Sequence, residues 1–497
     1  MQRRESGQRG GTAPDDAIAS RFNHVRGLAV HLVGVAGQGM SALAEVLQAR
    51  GAIVTGSDVD ESFFTTPVLE RIGVPVLPFD PGNVRGADLV VYSAAYDPAR
   101  HPELRAARDA GMPLANYPQA LGGLSAHCEA VAVCGTHGKT TITAMLGTLL
   151  DGLELPATVL VGSPVASFGD RSTLNRGTEL LAAETCEYRR HFLHYHPDRI
   201  VLSGVEWEHV DYFTDHHDTV AAFVELCRRL PPGGELVYDA DDAGAATVAA
   251  AVAGERADVV RTPVGRTAPG SFRMDGVTLA AGRTVFRLAA VPGELTLRVP
   301  GAHSAKDAAL AVAAATSLHR RHRGGSPEPA SVARALSRFS GTRRRSEVVG
   351  EAGGVTFVED YGHHPTEIRV TLSGLRRFFG DRPLVVDFMP HTYSRTGGLL
   401  EEFATVFGDA ERVILHDIYA SARERNDSGV SGEDLFLAVS RRHPSVAYTP
   451  GVDDGDAVQL AQRSVGPGDV FVTMGAGDNW KLGARLRERL LRADRTR

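Results

Sequence analysis

Cysteine is scarce in this chain. The four residues Cys128, Cys134, Cys186 and Cys227 include no CxxC pair. Neither a disulfide framework nor a cysteine-rich zinc site is therefore expected. Long apolar runs are missing too: no stretch approaches the roughly 20 residues a membrane-spanning helix needs. Positive charge is not in excess. A formal net charge of −7 argues against nucleic acid as the main partner, although local charges can still hold a small anion. Residues 1–26 carry arginines and polar groups but no apolar core, which reads as a disordered tail and not as a secretory signal. No internal repeat is visible. What remains is a cytoplasmic globular protein that takes small molecules, with no nucleic-acid or membrane partner, working as a monomer or weak homo-oligomer.

A chain of 497 residues suggests three domains at roughly 100–200 residues each. Three apolar, strand-like runs each lead into a glycine turn and a helical pattern. Gly27–Gly34 precedes Gly37-Gln38-Gly39, Glu129–Cys134 precedes Gly135-Thr136-His137-Gly138, and Asp469–Met474 precedes Gly475-Ala476-Gly477. Strands alternating with helices imply βαβ units and parallel sheets. The expected fold class is α/β: a Rossmann-like domain over 27–127, a central P-loop ATPase-like parallel sheet over 128–340, and a second Rossmann-like domain over 341–497. Short alternating runs between Ser271 and Pro300, with turn dipeptides Asp275-Gly276 and Pro292-Gly293, predict antiparallel hairpins added at the edge of the central sheet. A long Ala-rich helix is expected from about Ser304 to His319.

The strongest local signal is Gly135-Thr136-His137-Gly138-Lys139-Thr140-Thr141. A glycine turn between strand and helix aims backbone N–H groups and the helix dipole at an anion. Lys139 can reach terminal phosphates and the Thr140 hydroxyl can ligate Mg²⁺. Val133 stands where the general spacing would put the first glycine, so this is a variant of the P-loop. A second loop, Gly37-Gln38-Gly39-Met40-Ser41-Ala42, follows a strand and fits the dinucleotide fingerprint, with Asp58 placed to meet a ribose hydroxyl. It suits a nicotinamide cofactor or a sugar-nucleotide diphosphate. Ser93, closing the run Leu89–Ser93, joins it as a candidate contact. Two phosphate loops suggest ATP and a second, nucleotide-linked substrate.

At these residues the chain resembles the Mur ligases of peptidoglycan synthesis. The likeness runs through Gly135–Thr141, Glu184-Thr185-Cys186-Glu187-Tyr188-Arg189-Arg190-His191-Phe192-Leu193, Asp360-Tyr361-Gly362-His363-His364-Pro365-Thr366-Glu367-Ile368, Pro390–Thr396 and Met474–Asp478. It covers the chain from about Gly27 onward, and its histidine-rich elements are those of the muramate-linked branch. The resemblance implies an ATP-dependent ligase using Mg²⁺, with ATP, UDP-N-acetylmuramic acid and L-alanine as substrates. It implies that Lys139 meets the γ-phosphate, that Thr140, Glu184 and His209 hold metal, and that His303 and Asp307 lie by the nucleotide with the Gly135–Thr141 loop. Gly37, Gln38, Gly39, Met40, Ser41, Asp58 and Ser93 would face the sugar nucleotide, and Tyr361, His363, His364 and Arg395 the amino acid. Arg344, beside Arg345, would act on phosphate, a solvated basic run being the other reading of that pair.

Three departures stand against the family pattern. Gly204 and Glu208 replace an Asn and an Asp before His209. Ser304 and Asp307 replace two asparagines after His303. The N-terminal extension has no counterpart. A related ligase for another acceptor or amino acid (muropeptide recycling or specialised-metabolite amide formation) is the second reading, and a non-catalytic nucleotide and sugar-nucleotide sensor the third.

Overall fold

The computed structural model describes residues 13–60, 65–210, 212–280, 283–420, 426, 429–452 and 455–495. The chain divides into two compact units. The first comprises Met1–Asp275, Leu288–Gly293 and Lys306–Phe339; the second comprises Gly276–Arg287, Glu294–Ala305 and Ser340–Arg497.

The first unit holds two sheets. Five parallel strands run in the order Val76–Leu77, Ile53–Ser57, Ala29–Val33, Leu89–Tyr92, Leu114–Asn116. Seven strands run Val260–Val264, Glu235–Asp239, Arg199–Leu202, Glu129–Cys134, Leu180–Glu184, Ala157–Val165, Arg171–Asn175. All of these pair in parallel except the last, which is antiparallel to Ala157–Val165. Parallel strands covered on both faces must be apolar throughout, and Glu129–Cys134, with Ala130 to Cys134 all buried, shows why that segment reads as one continuous run. The two sheets share a single apolar core. Helix Gln38–Ala49 packs against strands Ala157–Val165 and Arg171–Asn175, so the glycine loop at its start is braced by the sheet that carries the Gly135–Thr141 loop.

In the second unit, six strands run Glu347–Ala352, Val355–Asp360, Val470–Met474, Leu384–Phe388, Arg412–Leu415, Val446–Tyr448, the first antiparallel and the rest parallel. Its core lies on both faces of Leu384–Phe388 and Val470–Met474. No helix among the described residues is long and apolar enough to cross a membrane.

Two expectations are corrected. Met274–Ala280, Arg283–Leu288 and Val291–Leu297 form a three-stranded sheet of their own, not an addition to the edge of the central sheet. Asp275-Gly276 and Pro292-Gly293 lie inside strands, and the connection between the last two strands falls at Ala289–Ala290. Gly276 (φ 62°) and Gly293 (φ 101°) supply left-handed backbone within a strand, a use of glycine that sequence cannot separate from a turn. The second correction concerns the disordered tail. Residues 1–12 lie outside the described residues, but Ala13–Arg21 is helical, and Ile18, Phe22 and Val25 are buried in the shared core. The Phe22 ring fills the space where a side chain at Gly123 would stand. Replacing a fully buried phenylalanine by alanine typically costs about 3–5 kcal/mol. Phe22→Ala should lower unfolding free energy by that order in urea melts, and a tail without structure would leave it unchanged.

Candidate active site

The Glu129–Cys134 strand ends at Gly135 (φ 124°), and helix Lys139–Gly152 begins after Gly138 (φ 80°). Both glycines are demanded by close approach as well as by backbone. A side chain at Gly135 would overlap Ser203 Oγ and the Gly204 carbonyl, and one at Gly138 would stand 2.8 Å from Asp307 Oδ1. The loop is tied down from the Leu202–Glu206 side. Thr136 N donates to the Gly204 carbonyl at 3.0 Å, Ser203 Oγ donates to the His137 carbonyl, and Glu206 N donates to Thr136 Oγ1 at 2.8 Å. His137 Nε2 lies 3.5 Å from Glu206.

Lys139 turns back into this loop. Its Nζ donates to the Gly135 carbonyl at 2.6 Å and the Thr136 carbonyl at 3.1 Å, and stands 3.3 Å from both oxygens of Glu187. Glu187 is 2% exposed. Burial pushes its carboxyl up, but the Lys139 charge and a bond from His209 outweigh that and bring it down to about 2. Burial likewise opposes the ammonium, and the Glu187 carboxylate raises it above the ordinary lysine value, so the pair stays ionised. His209 Nε2 lies 3.4 Å from Glu187, and its ring packs against Tyr188 at 4.8 Å. The neighbouring helix end supplies a second arrangement: Thr140 Oγ1 donates to Glu184 Oε2 at 2.8 Å. A side chain at Gly162 would overlap Glu184 Oε1, so that glycine leaves the carboxylate its room.

These donors fit a divalent cation in two ways. Thr140 and Glu184 offer hard oxygens, as Mg²⁺ prefers. Cys186, Glu187 and His209 offer three ligand atoms within 4.8 Å of one another. Among the hydrogen bonds and ion pairs just given, His209 is joined to Glu187 and Thr140 to Glu184; the expected trio is thus distributed over two adjacent arrangements. Glu187, marked in the sequence only as part of the Glu184–Leu193 motif, is the hub. Its signal was the spacing of two glutamates, 184 and 187, after an apolar strand, which does not say which one meets the lysine. Gly162 gave no signal at all.

Asp307 lies beside Gly138, and its neighbour Lys306 pairs with Asp239 at 2.5 Å. His303 packs its ring against Gly301 and Gly374. The departure at Gly204 acts through its backbone: its carbonyl holds Thr136, and a Cβ there would meet Asp242 Oδ2 at 3.2 Å. Glu208 is close enough to raise the Lys139 ammonium further.

In the first loop, helix Gln38–Ala49 starts at Gly37 with no side-chain cap, leaving its first N–H groups for an anion. Gly39 packs on the Tyr117 ring, while Met40 and Ser41 are buried. Asp58 is 5% exposed. It accepts from Ala36 N at 2.8 Å, Val59 N at 2.9 Å and Tyr96 Oη at 3.3 Å, and so braces the loop from beneath. Ser93 packs against Gly34, its N donating to the Val33 carbonyl at 2.9 Å.

In the second unit, Asp360 is buried and accepts from Gly362 N and Ser346 N, both at 2.7 Å. Burial raises its carboxyl. Tyr361 lies under the Arg344 and Arg345 guanidiniums at 5.1 and 5.2 Å. His363 Nδ1 faces the Tyr361 carbonyl at 3.0 Å, and its ring stands 5.6 Å from His391. His364 caps helix Pro365–Phe379, accepting from Thr366 N at 3.3 Å, with Glu367 completing a capping box. Arg395 donates to His391 Nδ1 at 3.2 Å, and His391 stacks on Tyr419. Arg344 (φ 57°) donates through NH2 to the Gly475 carbonyl at 2.6 Å and the Gly477 carbonyl at 3.0 Å, while its buried Nε has no hydrogen-bond partner among the described residues.

Family models match three consecutive segments: the Mur ligase family catalytic domain over residues 29–128, the Mur ligase middle domain over 133–315, and the Mur ligase glutamate ligase domain over 344–477. A UDP-N-acetylmuramate–L-alanine ligase of Treponema pallidum (strain Nichols) is 46% identical over 480 residues, 96% of this chain and 98% of that protein. Its counterpart in Desulfitobacterium hafniense (strain Y51) is 41% identical, covering 92% and 99%. The crystal structure of UDP-N-acetylmuramate-alanine ligase MurC from Thermotoga maritima superposes with a TM-score of 0.75 at 24% identity, over 94% of this chain and all of that one, which speaks for the fold.

Glu187 titrates lower folded than its ordinary 4.5. Its stabilisation is therefore complete above that value and lost as pH falls toward about 2. The stability gap between wild type and Glu187→Gln should be widest at neutral pH and close through that window. A gap independent of pH in stepped urea melts would break the pairing.

Proposed function

The chain belongs to the Mur ligase family, and from that premise we propose that it joins L-alanine to the carboxylate of UDP-N-acetylmuramic acid, using ATP, in cytoplasmic peptidoglycan precursor synthesis. End-to-end similarity to the alanine-adding relatives carries this reading. Segments 27–127, 128–340 and 341–497 would take the sugar nucleotide, ATP and the amino acid respectively.

The reaction follows from the chemistry of a carboxylate, which no amine attacks directly. The ATP γ-phosphoryl passes to a carboxylate oxygen, giving ADP and an acyl phosphate. The amine then adds to the acyl carbon, and the tetrahedral intermediate expels phosphate and loses a proton, leaving an amide. Phosphoryl transfer depends on positioning and charge neutralisation. Lys139, held charged by Glu187, supplies the cation for the phosphates entering the Gly135–Thr141 loop, with Asp307 on the nucleotide side. Thr140 and Glu184, with His209 adjoining, would hold Mg²⁺, which when bound offsets further phosphate charge. Gly37, Gln38, Gly39, Met40 and Ser41 receive the diphosphate at a helix N-terminus, with Asp58 and Ser93 shaping that loop. Tyr361, His363 and His364 shape the amino-acid site, and Arg395 takes its carboxylate as a bidentate partner. Arg344, whose buried Nε has no hydrogen-bond partner among the described residues, is the further catalytic cation.

Phosphate release from ATP should require both UDP-N-acetylmuramic acid and L-alanine; release with another acid or amine alone would move the chain to a different acceptor. Lys139→Ala should abolish that release, because the γ-phosphate loses its main counter-charge. Arg395→Ala should chiefly raise KM for the amino acid, and an unchanged value would reassign the residue.

A further inference from the structure

Three polar side chains are sealed inside the second unit where apolar ones would be expected. Asp387 and His416 are 0% exposed and Asn479 is 1% exposed. Asp387 lies in strand Leu384–Phe388, His416 directly follows strand Arg412–Leu415, and Asn479 directly precedes helix Trp480–Arg495. His416 Nε2 meets Asp387 Oδ1 at 2.7 Å, and its Nδ1 meets the Thr449 carbonyl at 3.0 Å. With Asp387 ionised, the carboxylate and the carbonyl only accept, so both ring nitrogens donate and the ring carries the positive charge. Burial works against that charge, but the Asp387 carboxylate and these bonds raise the ring above its ordinary value. The Asn479 amide donates to Asp387 Oδ2 at 2.9 Å, to the Asp387 carbonyl at 3.0 Å and to the Met474 carbonyl at 3.0 Å.

Stability alone does not account for the arrangement. A buried ion pair is commonly matched or bettered by apolar residues of similar volume, and Phe388, Leu415 and Met474 beside it are already core. Its position says more. Each of the three residues stands at the root of a loop on the carboxyl edge of the sheet. After Asp387 comes Met389–Thr392, which carries His391. After His416 comes Asp417–Tyr419, whose Tyr419 stacks on His391. Before Asn479 comes Gly475–Asp478, whose carbonyls grip Arg344. The loops are cross-linked above the network: Met389 N donates to the Met474 carbonyl at 3.1 Å, Tyr419 N to the Pro390 carbonyl at 2.8 Å and Thr392 N to the Tyr419 carbonyl at 3.2 Å. Gly475 lies so close to the Met389 carbonyl that a Cβ would overlap it.

We infer that Asp387, His416 and Asn479 are positioning residues: a buried network that sets the three loops bearing His391, Tyr419 and the Arg344 acceptors, and so fixes the amino-acid site without touching the substrate. This rests on the reading of that site given above. The geometry also specifies its own rescue. An asparagine at 387 can accept from Asn479 through its oxygen and donate to a neutral His416 whose proton sits on Nδ1, so every partner is kept with the charge removed. A leucine leaves two buried donors facing apolar carbon.

The test is steady-state phosphate release with each substrate varied in turn, on Asp387→Leu, Asp387→Asn and Asn479→Ala. Misplacing a site by an ångström can cost up to about 10²-fold, so Asp387→Leu should raise KM for the amino acid by about tenfold or more, leaving KM for ATP and for the sugar nucleotide in place. Asp387→Asn should restore the wild-type value. A purely structural role would lower the active fraction and thus kcat, with no selective change in KM. Asn479→Ala keeps the His416–Asp387 pair and carries the same expectation should the leucine chain not fold. An unchanged amino-acid KM in folded Asp387→Leu or Asn479→Ala, or an asparagine variant as impaired as the leucine one, would overturn the inference. Absence of amine-dependent turnover in the wild type would sink the proposed function instead. Amide exchange at residues 475–478 then decides the network by itself: faster in Asp387→Leu and unchanged in Asp387→Asn if the loops hang on it, equal in both if they do not.

Discussion

A lysine ammonium that is to meet phosphate, as proposed for Lys139, has to remain charged while no phosphate is there. Lys139 is largely enclosed by the loop it serves, and removing an ammonium from water without a partner would strip its proton. Glu187 and two loop carbonyls prevent this. Much of the surrounding geometry follows. Glu187 must itself be buried beside the helix start, so the chain turns tightly after strand Leu180–Glu184, with Arg189 and Arg190 in left-handed backbone at φ 52° and 57°. His209 leans on the same carboxylate from a third left-handed position at φ 54°. Non-glycine residues rarely adopt this region, and strain of this kind persists where the surroundings over-determine it. Here the cause is visible: three segments converge on one carboxylate.

The same constraint makes sense of two departures from the family pattern. At position 204 the functional group is the main-chain carbonyl holding Thr136, which any residue supplies, and the absence of a side chain suits the approach of Asp242. Glu208 adds its charge to that of Glu187 in raising the lysine, and a longer carboxylate can do that. Asp307 differs, because it places a carboxylate against Gly138 where phosphate binding would favour a neutral group. Lys306, one residue earlier, is paired with Asp239 and is also raised by the Asp307 charge.

How much of this could be read from sequence depended on whether a residue's role is set by its neighbours in the chain. Strand Glu129–Cys134 falls at the bounds of its apolar run and Val470–Met474 begins one residue inside the run Asp469–Met474, because strands buried on both faces need uninterrupted apolar sequence. The strand–turn–helix junction at Gly135–Thr141 was equally legible, since turn, lysine and helix start are contiguous. Ile18, Phe22 and Val25 carried a helical spacing that the polar composition around them masked. The hairpin glycines misled because a positive φ inside a strand and one in a turn look alike. Glu187 as hub, Gly162 as the space for Glu184, and the Asp387–His416–Asn479 network were beyond reach, each being defined by partners tens of residues away.

The carboxylates divide by what they hold. Asp58 and Asp360 each accept backbone N–H groups from a loop that follows a strand, and Asp387 performs the corresponding task through His416 and Asn479. Such acids fix the main chain. Glu184 and Glu187 instead hold side chains, Thr140 and Lys139, whose alternative partners under the proposed function are a cation and a phosphate. A backbone bond has no competitor when ligand arrives, whereas a threonine hydroxyl or a lysine ammonium can exchange one oxygen partner for another at little cost. Acids of the first kind therefore keep the loops in shape throughout, and under the proposed function those of the second would hold the reactive groups in place until the substrate's own oxygens take over.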